Sequence, residues 1–206
     1  MLLLPERAVF RENRCTLVVT DVHFRKAASF IKFAIPNPRG MTKDDLSSRT
    51  RIIERTGAHW LVILGDLFHA KAGRTVQNED EVISRRKAHS VLEILHIRCN
   101  HDWGAGDPPE DWRIICVDEP FSDNPFVLQH HPTHSDEGYT SAGHLHPSVT
   151  LRGTGGQRQR LPCFIFGSKL ALLPAFGSRT GTATVRPKRG DRVYVLAEDE
   201  VVEVKG

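Results

Sequence analysis

The chain has no Cys-x-x-Cys pair, no apolar run near the roughly 20 residues that span a bilayer, and no glycine-rich loop bearing a P-loop lysine. These absences exclude a ribbon-type zinc site, a membrane-spanning helix and a Walker-type nucleotide cradle. Its four cysteines, Cys15, Cys99, Cys116 and Cys163, are widely spaced, three of them inside apolar runs, and are expected to be reduced and buried. The opening "MLLLPERAV" lacks a basic leader and does not read as a signal peptide, so a cytoplasmic protein with no membrane partner is expected. Charge of one sign is not in large excess either. A net charge of +3, from 28 Lys and Arg against 25 Asp and Glu, permits a polyanionic partner without requiring one.

No internal repeat or low-complexity tract interrupts the 206 residues, and that length suits one well-cored domain over 1–206. Short β-branched runs predict strands at 16–20, 60–64, 92–98, 113–117, 126–130, 163–166, 182–185, 192–196 and 201–204. A helix is expected from Thr42, with Asp45 completing a capping box, to a stop at Gly57. A second is expected to start near Asn78. Strand and helix alternate in the front half, which points to an α/β fold with layered sheets. The stretches 25–41 and 132–142 have no clear element, and the basic segment "LRGTGGQRQR" reads as a surface hairpin.

Four of these runs, and the short segment "TSA" before "GHLH", end in the same kind of residue. They close on Asp21 and His23, on Asp66 and His69, on Asn100, His101 and Asp102, on His130 and His131, and on His144 and His146. Carboxylates and imidazoles at successive strand ends need something to offset their desolvation, and a cation does so. Two Asp, one Asn and four His form an oxygen and nitrogen donor set that suits Mn²⁺, Fe or Zn²⁺ better than Ca²⁺. Seven protein donors exceed the needs of one ion and suit two ions about 3.5 to 4 Å apart that share a carboxylate.

The ordered motifs "DVH", "GDLFH", "NHD", "HHP" and "GHLH" resemble the calcineurin-like metallophosphoesterase superfamily over residues 16–147. Within it, "LLLPERAVF", "VILGDLFHAKAGR", "DEPF" and "LLPAFGSRTG" make the chain similar to the bacterial ligase-associated metallophosphoesterases. The resemblance implies a four-layer α-β-β-α sandwich with the site at the C-terminal ends of the strands. It implies two divalent cations, most readily Mn²⁺. Asp21, His23 and His146 would hold one ion, Asn100, His130 and His144 the other, and Asp66 both. His130 is preferred to His131 as ligand on the family's His-x-Pro spacing, which leaves His131 either to support a neighbouring ligand or to contact substrate. A hydroxide bridging the cations would attack phosphorus, with His101 and His69 acting on the leaving oxygen.

His69 stands where many phosphatases of the superfamily have Asp, and so resembles the repair nuclease branch. The resemblance therefore implies a phosphodiesterase or endonuclease acting on DNA ends or single strands in DNA repair. A functional association with DNA ligase, helicase and exonuclease-like proteins follows from the same likeness. Arg25, Lys26, Lys71 and Arg74 are candidate phosphate contacts and Trp103 a candidate base contact. A small-molecule phosphomonoesterase or cyclic-nucleotide diesterase, and a non-catalytic scaffold, are the alternative readings. Cys99 departs from the family's usual Gly. It is tolerated if its backbone is extended, and strains the site if it is left-handed.

Overall fold

The computed structural model describes residues 1–22, 52–67, 83, 86–87, 89–176 and 181–204. The first sheet contains β1 (Leu2–Leu4), β2 (Ala8–Arg11), β3 (Thr16–Thr20), β4 (Trp60–Leu64), β5 (Glu93–Arg98) and β6 (Ile114–Asp118), hydrogen-bonded in that order. The pairs from β3 to β6 are parallel, whereas β1 and β2 are joined antiparallel at one edge. The second sheet is built from β7 (Phe121–Asp123), β8 (Phe126–Gln129), β9 (Tyr139–Ala142), β10 (Pro147–Arg152), β11 (Arg158–Phe166), β12 (Leu170–Leu172), β13 (Ala183–Thr184), β14 (Arg192–Ala197) and β15 (Glu200–Val204).

Alternation along the parallel strands explains the layering, because a strand with apolar residues at every position must bury both faces. Leu17, Val19, Leu61, Ile63 and Ile94 face one way and pack with Ile52, Ile53, Trp112 and Phe176. Val18, Val62, Leu64, Leu95 and Ile97 face the other way and meet Leu128, Phe164, Ala171 and Leu196 of the second sheet. A third cluster, Val149, Cys163, Ile165, Leu172, Val193 and Val195, lies on the second sheet's far face, and none of its members is helical. The architecture is thus mixed α/β with two face-packed sheets. Among the described residues, no helix is long and apolar enough to cross a membrane.

Helix α1 (Ile52–Thr56) is the described end of the expected first helix, and Gly57 stops it at φ +62° with its N–H on the Ile53 carbonyl at 2.9 Å. The capping box at Thr42 lies outside the described residues. Of the helix expected from Asn78, the described Ile83, Arg86 and Lys87 are helical. Helix α2 (Asn100–Ala105) follows β5 at once. Two expectations need correction: the stretch 132–142 contains β9, and Cys15 and Cys116 are only partly buried. The opening segment, for which no strand was expected, forms the β1–β2 hairpin. The local signals were weak because β1 has three residues, and β9 reads "YTSA", with apolar character left to packing.

Phe164 is fully enclosed between the sheets. Phe164→Ala is expected to lower the free energy of unfolding by about 3 to 5 kcal/mol in denaturant titrations. Val202→Ala, on an exposed strand position, should change it by less than about 0.5 kcal/mol.

Candidate functional site

Strands β3, β4 and β5 run parallel in one sheet, and β8 and β9 run parallel in the other. Their C-terminal ends bring together side chains that are far apart in sequence. Asp21, directly after β3, lies 3.1 Å from His146 Nε2 and 3.6 Å from His130 Nδ1. Asp66, after β4, lies 3.2 Å from His101 Nδ1 and 3.8 Å from His130 Nε2. His130 Nε2 is 2.9 Å from His144 Nδ1, and the His131 ring centre is 4.8 Å from that of His144. Asp21 and His130 are fully buried, whereas Asn100, His101 and His144 are exposed, so the cluster is closed beneath and open above.

The backbone is bent to make this convergence. Asp21, Asp66, His144 and His146 all have positive φ, between +45° and +68°. A non-glycine residue there costs on the order of 1 kcal/mol, which packing elsewhere must offset. Glycine is required at two adjoining positions. A Cβ on Gly65 would lie 2.3 Å from His130 Nδ1, and one on Gly143 would lie 1.7 Å from Thr20 Oγ1. Thr20 in turn donates to Asp21 Oδ2 at 2.7 Å, and that oxygen also accepts from the His144 N–H at 2.9 Å. The glycines of the Gly-Asp and Gly-His-x-His motifs are therefore close-approach positions.

Two carboxylates outside the expected ligand set hold the frame. Asp102 is buried, and its oxygens accept the backbone N–H groups of Asp66, Leu67 and Cys99, each at 3.0 Å. It also lies 3.2 Å from Nε2 of the buried His96. Burial alone would raise this carboxyl's pKa, but the His96 hydrogen bond and charge, joined by the Cys99 donors, hold it well below the ordinary range. Glu119, just beyond β6, accepts the N–H groups of His130 and His131 at 2.7 and 3.0 Å and contacts His131 Nδ1 at 2.6 Å. In the sequence Asp102 stands in the polar cluster with no role assigned, and Glu119 lies within "DEPF". The signal for both was an acidic residue beside a motif, and their backbone partners are set by the fold.

Cys99 settles the question raised by its replacing Gly. Its φ is −107° and ψ 178°, an extended backbone open to any residue. Burial, then the Asp102 charge, pushes its thiol up to about 12, so it stays protonated, 3.2 Å from Asp102 Oδ2 and 3.5 Å from Asp66 Oδ1. For Asp21, burial is outweighed by the His146 hydrogen bond and the His130 charge, and the carboxyl is lowered. Burial also disfavours charged His146, but its bond to Asp21 prevails and raises it. His144 is lowered by burial and by the neighbouring His130 and His131.

Imidazole nitrogens and carboxylates turned on one another need protons or a cation between them. Donor atoms of Asp66, Cys99, His101 and His130 lie within 4.8 Å of one another, as do those of His130, His131 and His144, so either group could hold a metal ion. Trp103 is exposed, with its indole N–H 3.3 Å from Asp118 Oδ1. His23, Arg25, Lys26, His69, Lys71 and Arg74 lie outside the described residues.

No protein-family model and no curated protein matches the chain. A solved structure does: the crystal structure of Pseudomonas putida nuclease MPE is similar at 36% identity and a TM-score of 0.78, covering 98% of this chain and 93% of that one.

Asp102→Asn tests the frame, since it removes the charge that three backbone N–H groups and His96 share. Stability at pH 7 is expected to fall by about 3 kcal/mol. A carboxyl lowered by folding stabilises above its unfolded pKa of about 4, and that stabilisation is lost as pH falls toward the folded value. Denaturation midpoints of the native protein should therefore drop as pH is lowered from about 5 to 2. Those of Asp102→Asn should start lower and change less.

Proposed function

The chain belongs to the family of the Pseudomonas putida nuclease MPE, and from that membership we propose that it is a metal-dependent phosphodiesterase that cleaves DNA. The observation that carries the reading is the donor set gathered at five strand ends, in a relative of a nuclease.

In the proposed assignment Asp21, His23 and His146 hold one divalent cation, Asn100, His130 and His144 hold a second, and Asp66 serves both. This is the calcineurin-like pattern, and a four-layer α-β-β-α sandwich and a single domain over 1–206 are part of the same proposal. Mn²⁺ is the favoured ion, with Fe or Zn²⁺ as the other choices. Bound there, two cations supply water acidified enough to act as nucleophile and neutralise charge on the phosphoryl oxygens.

The chain's own groups do the rest. Asp66 Oδ1 lies 3.2 Å from His101 Nδ1, which keeps that exposed imidazole beside the site. His101 is thereby placed to give a proton to the departing oxygen, and His69 is assigned to the same leaving group. Glu119 fixes the orientation of the His131 ring through Nδ1, leaving Nε2 for a substrate oxygen. Trp103, Arg25, Lys26, Lys71 and Arg74 are assigned to bases and phosphates flanking the scissile bond. The resemblance of "LLLPERAVF", "VILGDLFHAKAGR", "DEPF" and "LLPAFGSRTG" to the ligase-associated members supports a place in DNA repair beside a ligase, a helicase and an exonuclease-like protein. Four unpaired cysteines fit a reducing, cytoplasmic setting.

The purified protein is expected to hydrolyse bis-p-nitrophenyl phosphate with Mn²⁺ and to stop when EDTA is added. His101→Ala should lower kcat by about 10² to 10⁴-fold with metal content unchanged. A folded, Mn²⁺-loaded protein inert toward that diester would contradict the proposal.

A further inference from the structure

The β10–β11 hairpin carries three arginines whose placement the site described above does not use. The ladder sets Arg152 directly opposite Arg158 and Arg160 opposite Thr150, so all three side chains stand on one face. Val149, Leu151 and Leu161 occupy the other face and join the outer apolar cluster. The arginine face is continuous along β11 with Phe164 and Phe166, which pack between the two sheets. The guanidinium groups therefore lie on the side that the first sheet also occupies.

Register shows how far the hairpin reaches. Ile165 pairs with Leu172, and Leu172 with Ala142, the last residue of β9. Because β11 runs antiparallel to β12 while β12 is parallel to β9, residues before Ile165 continue past the end of β9. That end is followed at once by Gly143 and His144, and β10 itself begins one residue after His146. Arg160 and Arg158 are five and seven positions before Ile165, which at about 3.4 Å per residue puts them roughly 15 to 25 Å beyond the end of β9.

Two like charges directly opposite in an antiparallel ladder are destabilising unless an anion offsets them. Arg152, Arg158 and Arg160 are exposed, no acidic residue occurs in 147–166, and none of the three makes an ion pair among the described residues. The spacing also suits a repeating anion. Roughly 15 to 25 Å corresponds to about four to seven phosphate steps along one strand of a duplex.

We propose that this hairpin is an arginine prong that binds the phosphate backbone of a polynucleotide several nucleotides from the scissile bond. The inference rests on the phosphodiesterase reading and adds to it a length requirement, for polynucleotides longer than about four residues. It converts an open site into one that recognises chain length without reading sequence.

The test is equilibrium binding of a fluorescein-labelled 20-nucleotide single strand to the full chain in EDTA, followed by anisotropy across a salt titration. It compares the native protein with Arg152→Gln/Arg158→Gln/Arg160→Gln and with the corresponding triple Lys variant. The Gln variant is expected to bind about tenfold or more weakly, with its log Kd against log salt slope smaller by about 2. The Lys variant should keep the slope, and a dinucleotide should bind all three proteins alike. Hydrolysis of bis-p-nitrophenyl phosphate should be unchanged in the Gln variant. Equal affinity and slope for native and Gln proteins would overturn the prong while leaving the hydrolytic reading intact. Inert proteins that still differ in oligonucleotide binding would support the prong and remove the reading beneath it. Weakened binding shared equally by the Gln and Lys variants would also overturn the prong, since a phosphate contact follows charge.

Discussion

A single buried carboxylate ties together the turns on which the candidate site is built. Asp102 sits in the first turn of α2 yet accepts N–H groups from the turn after β4 as well as from the end of β5. Those two turns present Asp66, Asn100 and His101, so their mutual positions are set by hydrogen bonds to one group instead of by loop packing. A charged acceptor buried with several donors is strongly held, since removing it leaves each donor unpaired. Glu119 does the same on the other side, joining the end of β6 in the first sheet to the His130–His131 turn of the second.

With the turns fixed from beneath, the chain can tolerate four left-handed residues at the site itself. Positive φ at Asp21, Asp66, His144 and His146 aims their side chains out of the sheets toward one another, and Gly65 and Gly143 let the backbones come close enough for them to meet. The result is a pre-arranged set of donors with a closed floor and an open top. The floor carries stability, and the open top would leave room for the proposed polynucleotide substrate to lie across the strand ends. The projecting hairpin extends that opening with positive charge. Recognition and chemistry would then occupy one continuous edge of the molecule.

Much of this was legible in the residues, and the reasons for the gaps are physical. Runs such as "TLVVT" and "WLVIL" name their strands because a strand buried on both faces is continuously apolar, and their bounds match β3 and β4. Four such runs, and the "TSA" before His144, ending in Asp, Asn or His pointed to the cluster that Asp21, Asp66, His101, His130, His131, His144 and His146 form. Short strands such as β1 and β9 were missed because their burial comes from neighbours distant in sequence. The roles of Asp102 and Glu119 depend on which backbone N–H groups lie opposite them, which no spacing reveals. Cys99 likewise needed φ and ψ to show that the position does not demand glycine.

The proposed chemistry requires a pair of cations held by the strand ends, with Asp66 serving both. Anomalous X-ray diffraction from crystals grown with Mn²⁺ tests for that pair most directly. Two anomalous peaks are predicted on either side of the Asp66 carboxylate, one beside Asp21 and His146 and the other beside Asn100, His130 and His144. No peak at the strand ends, or full occupancy of a site elsewhere on the surface, would contradict it.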